Sequence, residues 1–250
     1  MKVYYASINP PNDLLTEIIP VKKIFSDLLS KGESEYQSFG GIKSLFYCPA
    51  TKDFNRNRFS VTSTYDLTLK ISNNVNSIGD FSYAVEEFKL FGRDEDMAFN
   101  DHVAVRDSKH RLLSLSIPHI WFMPEKPVII RQETALYSNS DFSKKTHLIS
   151  AQFDAYKHPR PLDISFFVKE NVETIKLNYE SRLYDIKFET EEEVELVPFT
   201  LDSELLQLQA RFDKTKNFTK KPFSLEKWYH LNSIHNYPKR IINHIEKNSL

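Results

Sequence analysis

Thr146-His147-Leu148-Ile149-Ser150-Ala151-Gln152-Phe153 and, after a corner, Leu162-Asp163-Ile164-Ser165-Phe166-Phe167-Val168 decide how this chain folds. Ile149, Ala151 and Phe153 share one face of the first run, and Leu162, Ile164, Phe166 and Val168 share one face of the second. A period of two marks a strand with one buried face. His147 is in phase with Ile149, so it is expected to point into the core or a barrel interior. In the corner, Pro159 and Pro161 bracket Arg160. Each removes an amide donor and restricts its predecessor, which predicts an ordered corner rather than a tight hairpin. Two more strands are expected around Ile175–Tyr179 and Leu183–Phe188, before the acidic run Glu189–Glu195 and the close at Pro198.

Upstream, Val3–Ile8 reads as a short strand stopped by Asn9-Pro10-Pro11. Val21, Ile24, Phe25, Leu28 and Leu29 recur at helical spacing after Pro20, with Gly32 as a stop, which predicts an amphipathic helix packed on a sheet. Leu45–Tyr47 is a further short strand. Phe59, Val61, Tyr65, Leu67, Leu69 and Ile71 alternate with Ser63 as the one gap, the longest such signal in the chain. Phe81–Leu90 and the apolar Arg111–Phe122 follow, and Pro118, Pro124 and Pro127 are expected to chop the latter into short pieces. Val128-Ile129-Ile130 restarts a strand, and Ser138–Lys145 is a polar connection. Beyond Pro198 the period changes. Leu201, Leu205, Leu208 and Phe212 fit one helical face, Ser224 can cap a second helix carrying Leu225, Trp228 and Tyr229, and Ile241, Ile242 and Ile245 form a last turn or two.

The predicted fold class is therefore mainly β (α+β). Residues 1–200 form an antiparallel β-sandwich or jelly-roll-like core with an N-terminal amphipathic helix. Residues 201–250 form a basic helical segment packed on that core or extending from it. Nineteen Phe and 12 Tyr agree, because large aromatics suit pleated, half-buried surfaces. Five Gly leave no G-x-G-x-x-G and no phosphate loop, which sets nucleotide-binding Rossmann and P-loop readings aside. Cys48 stands alone, so no intrachain disulfide can form, and it reads as a small buried residue. The start of the chain lacks the pattern of a signal peptide, and no apolar run approaches the ~18 residues that cross a bilayer. The expectation is a cytoplasmic protein without membrane contact.

No H-x-H, H-x-D, H-x-E or H-E-x-x-H occurs, so neither a metal nor another cofactor is expected. There is no G-x-S-x-G elbow. The acids Asp94, Glu95, Asp96 and Asp101 lack calcium-loop spacing and read as a solvated loop. His119 follows Pro118 in apolar surroundings and joins no constellation. Arg160 and Arg182 stand out because each interrupts the β region beside apolar residues. A guanidinium held there can bind a carboxylate or phosphate with two parallel hydrogen bonds, or pair with a structural acid such as Asp154, Asp163 or Asp185. His147, His158, Arg160 and Arg182 are the candidate ligand-binding residues, and the His158–Arg160 corner is the first place to look. Residues 211–250 carry nine Lys/Arg against three acids, while the whole chain is −1. Lys216, Lys220, Lys221 and Trp228 could thus contact nucleic acid through charge and stacking, or the tail could dock on an acidic face.

Arg160-Pro161 between two β runs, with Leu183–Phe188 before an acidic run, resembles uncharacterised phage-type proteins. That resemblance implies a viral origin, hence a host cytoplasm, and no assigned activity. Three functions follow as expectations. The first is a non-enzymatic β-sandwich binding or assembly protein, with a protein partner or a second copy of itself. A metal-dependent, oxygenase-like jelly-roll enzyme is the second, and a nucleic-acid-binding accessory protein acting through its basic tail is the third.

Overall fold

The computed structural model describes residues 1–7, 17–27, 48–73, 81–90, 93–94, 103–157, 161–209, 227 and 236–248. Within them the chain is mainly β, in three sheets. The first runs β10 (Thr146–Leu148), β12 (Leu162–Val168), β8 (Leu112–Pro124), β1 (Lys2–Ser7) and β15 (Glu195–Pro198), with β7 (Val103–Asp107) also on β8. The second runs β11 (Ala151–Asp154), β9 (Ile129–Thr134), β14 (Arg182–Glu189), β3 (Arg58–Thr62) and β2 (Ile18–Pro20). The third runs β13 (Thr174–Leu177), β4 (Tyr65–Asn73), β5 (Phe81–Leu90) and β6 (Arg93–Asp94). Pairings are antiparallel except that of β1 with β15. Helical segments are α1 (21–27), α2 (Pro49–Asn55), α3 (Asp141–Lys145), α4 (203–209) and α5 (Tyr237–Asn248).

Strand β8 organises the first sheet. Residues 112–115 pair with β7 and β12, residues 120–124 pair with β1, and Ile120 also meets Leu162. Pro118 falls in the unpaired interval, where a missing amide breaks no ladder bond. That is why one 13-residue strand passes through it, rather than the short pieces expected from the prolines. The interval also shifts the phase of burial. Leu113 and Leu115 enter the main core before it, and Ile120 and Phe122 after it.

Past that shift both faces of the sheet are buried. Val3, Ile120 and Phe122 join a core to which the other two sheets contribute Val61, Ile130, Ile186, Phe188, Leu67 and Leu69. Tyr4, Ala6, Trp121 and Met123 face the other way and meet Phe199, Leu201, Leu205, Ile241, Ile242 and Ile245. Period two on the strands thus meets period 3.6 on α5, whose three isoleucines form one stripe. Pro238 lies in the first turn of α5 and starts the helix instead of interrupting it, since an amide there has no intrahelical partner. Polar contacts fix the helices in place. Asp202 Oδ1 accepts from the Leu205 amide (2.9 Å), Asp202 Oδ2 bonds His244 Nε2 (2.5 Å), and Tyr4 donates its hydroxyl to Glu246 (2.8 Å). Burial, reinforced by Glu246, pushes the Tyr4 phenol up to about 12.

Asn57 joins the end of α2 to the acidic run. Its backbone is left-handed, at φ 53°, a conformation that Asn tolerates better than most residues. Its Nδ2 donates to the carbonyls of Thr190 (2.9 Å) and Glu192 (2.7 Å), and its Oδ1 accepts from the Val194 amide (2.9 Å). One side chain therefore sets the path by which β14 crosses to the first sheet as β15.

Three expectations change. The run 146–153 is two strands in different sheets, broken at Ile149-Ser150, so His147, Ile149 and Ala151 are exposed. His147 pairs in register with the exposed Phe167 and does not enter the core. The alternation of residues 59–71 is likewise two strands, and Ser63 is the point where the chain leaves the second sheet for the third. Cys48 precedes α2 and is only partly buried. Leu45–Tyr47, Phe212 and the Ser224-capped helix with Leu225 and Tyr229 lie outside the described residues, as do Glu95, Asp96 and Asp101.

Asn57→Ala removes three hydrogen bonds and leaves a β-carbon in a left-handed backbone, so it should cost about 3 kcal/mol of unfolding free energy in urea. Asn57→Gly loses the same bonds without the backbone penalty and should cost about 1 kcal/mol less. Equal stability of the wild type and Asn57→Gly would contradict the stapling role.

Candidate functional site

The second sheet carries a row of buried polar groups on the side away from its apolar core. Ser60, Asp185 and Glu133 lie directly across β3, β14 and β9. Ser60 and Asp185 are fully buried, and Arg58 is 3 % exposed, a depth at which an unpaired guanidinium could not be tolerated. Arg58 is paired: Nη1 donates to Glu133 Oε2 at 2.5 Å, Nε reaches the Phe54 carbonyl at 3.5 Å, and the guanidinium stacks 4.6 Å from the Phe54 ring centre.

A bulge places Arg182 in this row. In strict alternation Arg182 would share a face with Tyr184, which is in the core. The register shifts between them, so Arg182 pairs with Thr62, on the same side as Ser60 and Asp185. Arg182 Nη1 then donates to the Leu136 carbonyl (2.6 Å), and Asp185 Oδ2 accepts from the Leu136 amide (2.9 Å). The two side chains hold both polar groups of one peptide residue. The next residue, Tyr137, is left-handed at φ 58° and stacks on Phe25 of α1 at 5.3 Å. This is a structural clamp that ties the segment after β9 to α1.

The clamp's electrostatics are set by its depth. Burial raises the Asp185 carboxyl above the usual carboxylate range, outweighing the Leu136 amide, the Ser60 hydroxyl and the charges of Arg58 and Arg182, which all pull it down. Burial also lowers the Arg182 guanidinium, and Asp185 pulls it back up. Each charge is costly where it sits, and each partly compensates the other.

Next to this row, where β2 ends and β3 begins, lies a cleft of about 680 Å³. Pro20, Phe25, Phe59 and Val194 give it apolar walls, and Lys22, Arg58, Glu191 and Glu193 give it charge. Arg56, also in the lining, is held by Asp53 (2.7 Å) and Glu191 (2.8 Å). Asn55 ends α2 in the lining, 5 % exposed, and its Oδ1 has no hydrogen-bond partner among the described residues. A buried carbonyl oxygen without a donor costs about 1–3 kcal/mol, so Asn55 has something to gain from a ligand.

Of the residues singled out from the sequence, Arg182 is in the clamp and His147 is exposed on the edge strand of a different sheet. His158 and Arg160 lie outside the described residues, as do Lys216, Lys220, Lys221 and Trp228. Arg58, Asn55 and the cleft had no sequence signal beyond ordinary polarity. Nor did His119, whose Nε2 meets Asp163 Oδ1 at 2.5 Å across the unpaired interval of β8. Among the described residues no group of three His, Cys, Asp or Glu is placed to hold a metal ion. No protein-family model, curated protein or solved structure matches this chain.

Because the folded Asp185 carboxyl titrates above its unfolded value, its charge subtracts stability once the pH rises through the folded value. Asp185→Asn keeps an acceptor for Leu136 and should raise Tm at pH 7. The gain should shrink as pH falls and vanish below about pH 4, where the unfolded carboxyl is protonated too. A lower Tm at pH 7 would mean that the arginine contacts outweigh burial.

Proposed function

We propose that this chain is a non-enzymatic binding protein built on a β-sandwich or jelly-roll-type core, and that the cleft beside β3 is its binding site. The observation that supports this is a division of roles. The ionisable groups buried beside the cleft are bound to the protein's own groups: Arg58 to Glu133, and Arg182 and Asp185 to Leu136. The cleft itself keeps an unpartnered, buried Asn55 carbonyl between apolar walls. A few convergent polar groups in an apolar hollow of several hundred Å³ is the usual make-up of a small-molecule site.

Titrating ¹⁵N-labelled protein with a mixed library of small acids, amines, peptides and sugars tests this. Shift changes should concentrate at the Asn55 side-chain amide, Lys52, Arg58 and Val194. Changes confined to other surfaces would overturn the site. Stoichiometric iron, manganese or zinc in the purified protein would favour a jelly-roll metalloenzyme instead, and salt-dependent binding of DNA or RNA through residues 211–250 would favour the nucleic-acid reading.

A further inference from the structure

We infer that the cleft recognises a short apolar peptide with both termini free, an inference that rests on the binding reading above and gives it a ligand class. Charge sets the argument. Arg56 is neutralised by Asp53 and Glu191, which leaves Lys22 and Glu193 as ionised lining groups with no side-chain partner among the described residues. Arg58 adds donor capacity, since its printed bonds use Nε and Nη1 and leave Nη2 without a hydrogen bond among the described residues.

The lining thus offers cationic donors in Lys22 and Arg58, and acceptors in the Glu193 carboxylate and the Asn55 carbonyl. A simple anion would satisfy the first pair and be repelled by Glu193. A simple cation would do the reverse. A zwitterion satisfies both, with its carboxylate on Lys22 and Arg58 and its ammonium on Glu193 and Asn55. Charge-assisted hydrogen bonds of this kind are about twice as strong as neutral ones. Phe25, Phe59, Pro20 and Val194 then take apolar side chains, and about 680 Å³ is more room than a single amino acid fills. A peptide of two or three residues matches both the charge and the space.

Calorimetric titration with the dipeptide Leu-Phe, and with N-acetyl-Leu-Phe-amide, tests the inference. Leu-Phe should bind saturably, and capping both termini should weaken binding about tenfold or more, the equivalent of one lost charge-assisted hydrogen bond. Lys22→Gln and Glu193→Gln, both at exposed positions, should each weaken Leu-Phe binding about fivefold or more while leaving Tm unchanged. Equal binding of the free and capped peptides, or undiminished binding by both variants, would overturn the inference and leave the cleft as a site for something else. No binding of either peptide, with library compounds still shifting Asn55 and Val194, would also overturn it and spare the binding reading. No binding together with a silent cleft would overturn both.

Discussion

Residues 120–124 of β8, paired with β1, have no face left for water, and the rest of the fold follows from that. Ile120 and Phe122 on one side and Trp121 and Met123 on the other are all at or near zero exposure. Burying a side chain of this size stabilises by about 1.5–3 kcal/mol, so neither face could be surrendered cheaply. The main core covers one face with the two other sheets. The isoleucine stripe of α5, with Phe199, Leu201 and Leu205, covers the other. A strand pair in the middle of a sheet thus commits the C-terminal helix to the same folded body.

The second sheet solves a different problem. Its polar side is too deep to be left solvated, and its charges are placed where they order backbone. Arg182 and Asp185 fix Leu136, which sets Tyr137 against Phe25 and so positions α1 at one wall of the cleft. Asn57 does the same for the acidic run, which forms another wall. Buried ion pairs are weak sources of net stability, because desolvation offsets most of the attraction. Their value here is in geometry: they hold in place the segments between which the cleft opens.

How much of this could be read from the sequence depends on whether period two survived. In β12 it did, and Leu162, Ile164, Phe166 and Val168 are buried as their spacing implies. At Ile149-Ser150 and at Ser63 a continuous pattern concealed a change of sheet, because alternation describes a strand's faces and says nothing of its neighbours. In β8 the unpaired residues around Pro118 reversed the phase, and in β14 the bulge at Leu183 moved Arg182 to the side of Asp185. Both are register events, set by the partner strand. The Arg58–Glu133 and His119–Asp163 pairs join residues 75 and 44 apart, a distance that only the sheet pairing bridges. Arg182 was noticed for its position beside apolar residues. Its task, holding a backbone segment, was visible only once the register was known.

Native-state hydrogen exchange bears most directly on the claim that β1 and β8 require cover on both faces. The amides of Ile241, Ile242 and Ile245 should share the protection free energy of Tyr4, Ala6, Trp121 and Met123, opening only when the sheet opens. Rapid exchange throughout α5 while those four strand amides stay fully protected would show that the helix is dispensable to the sheet, and would contradict the account.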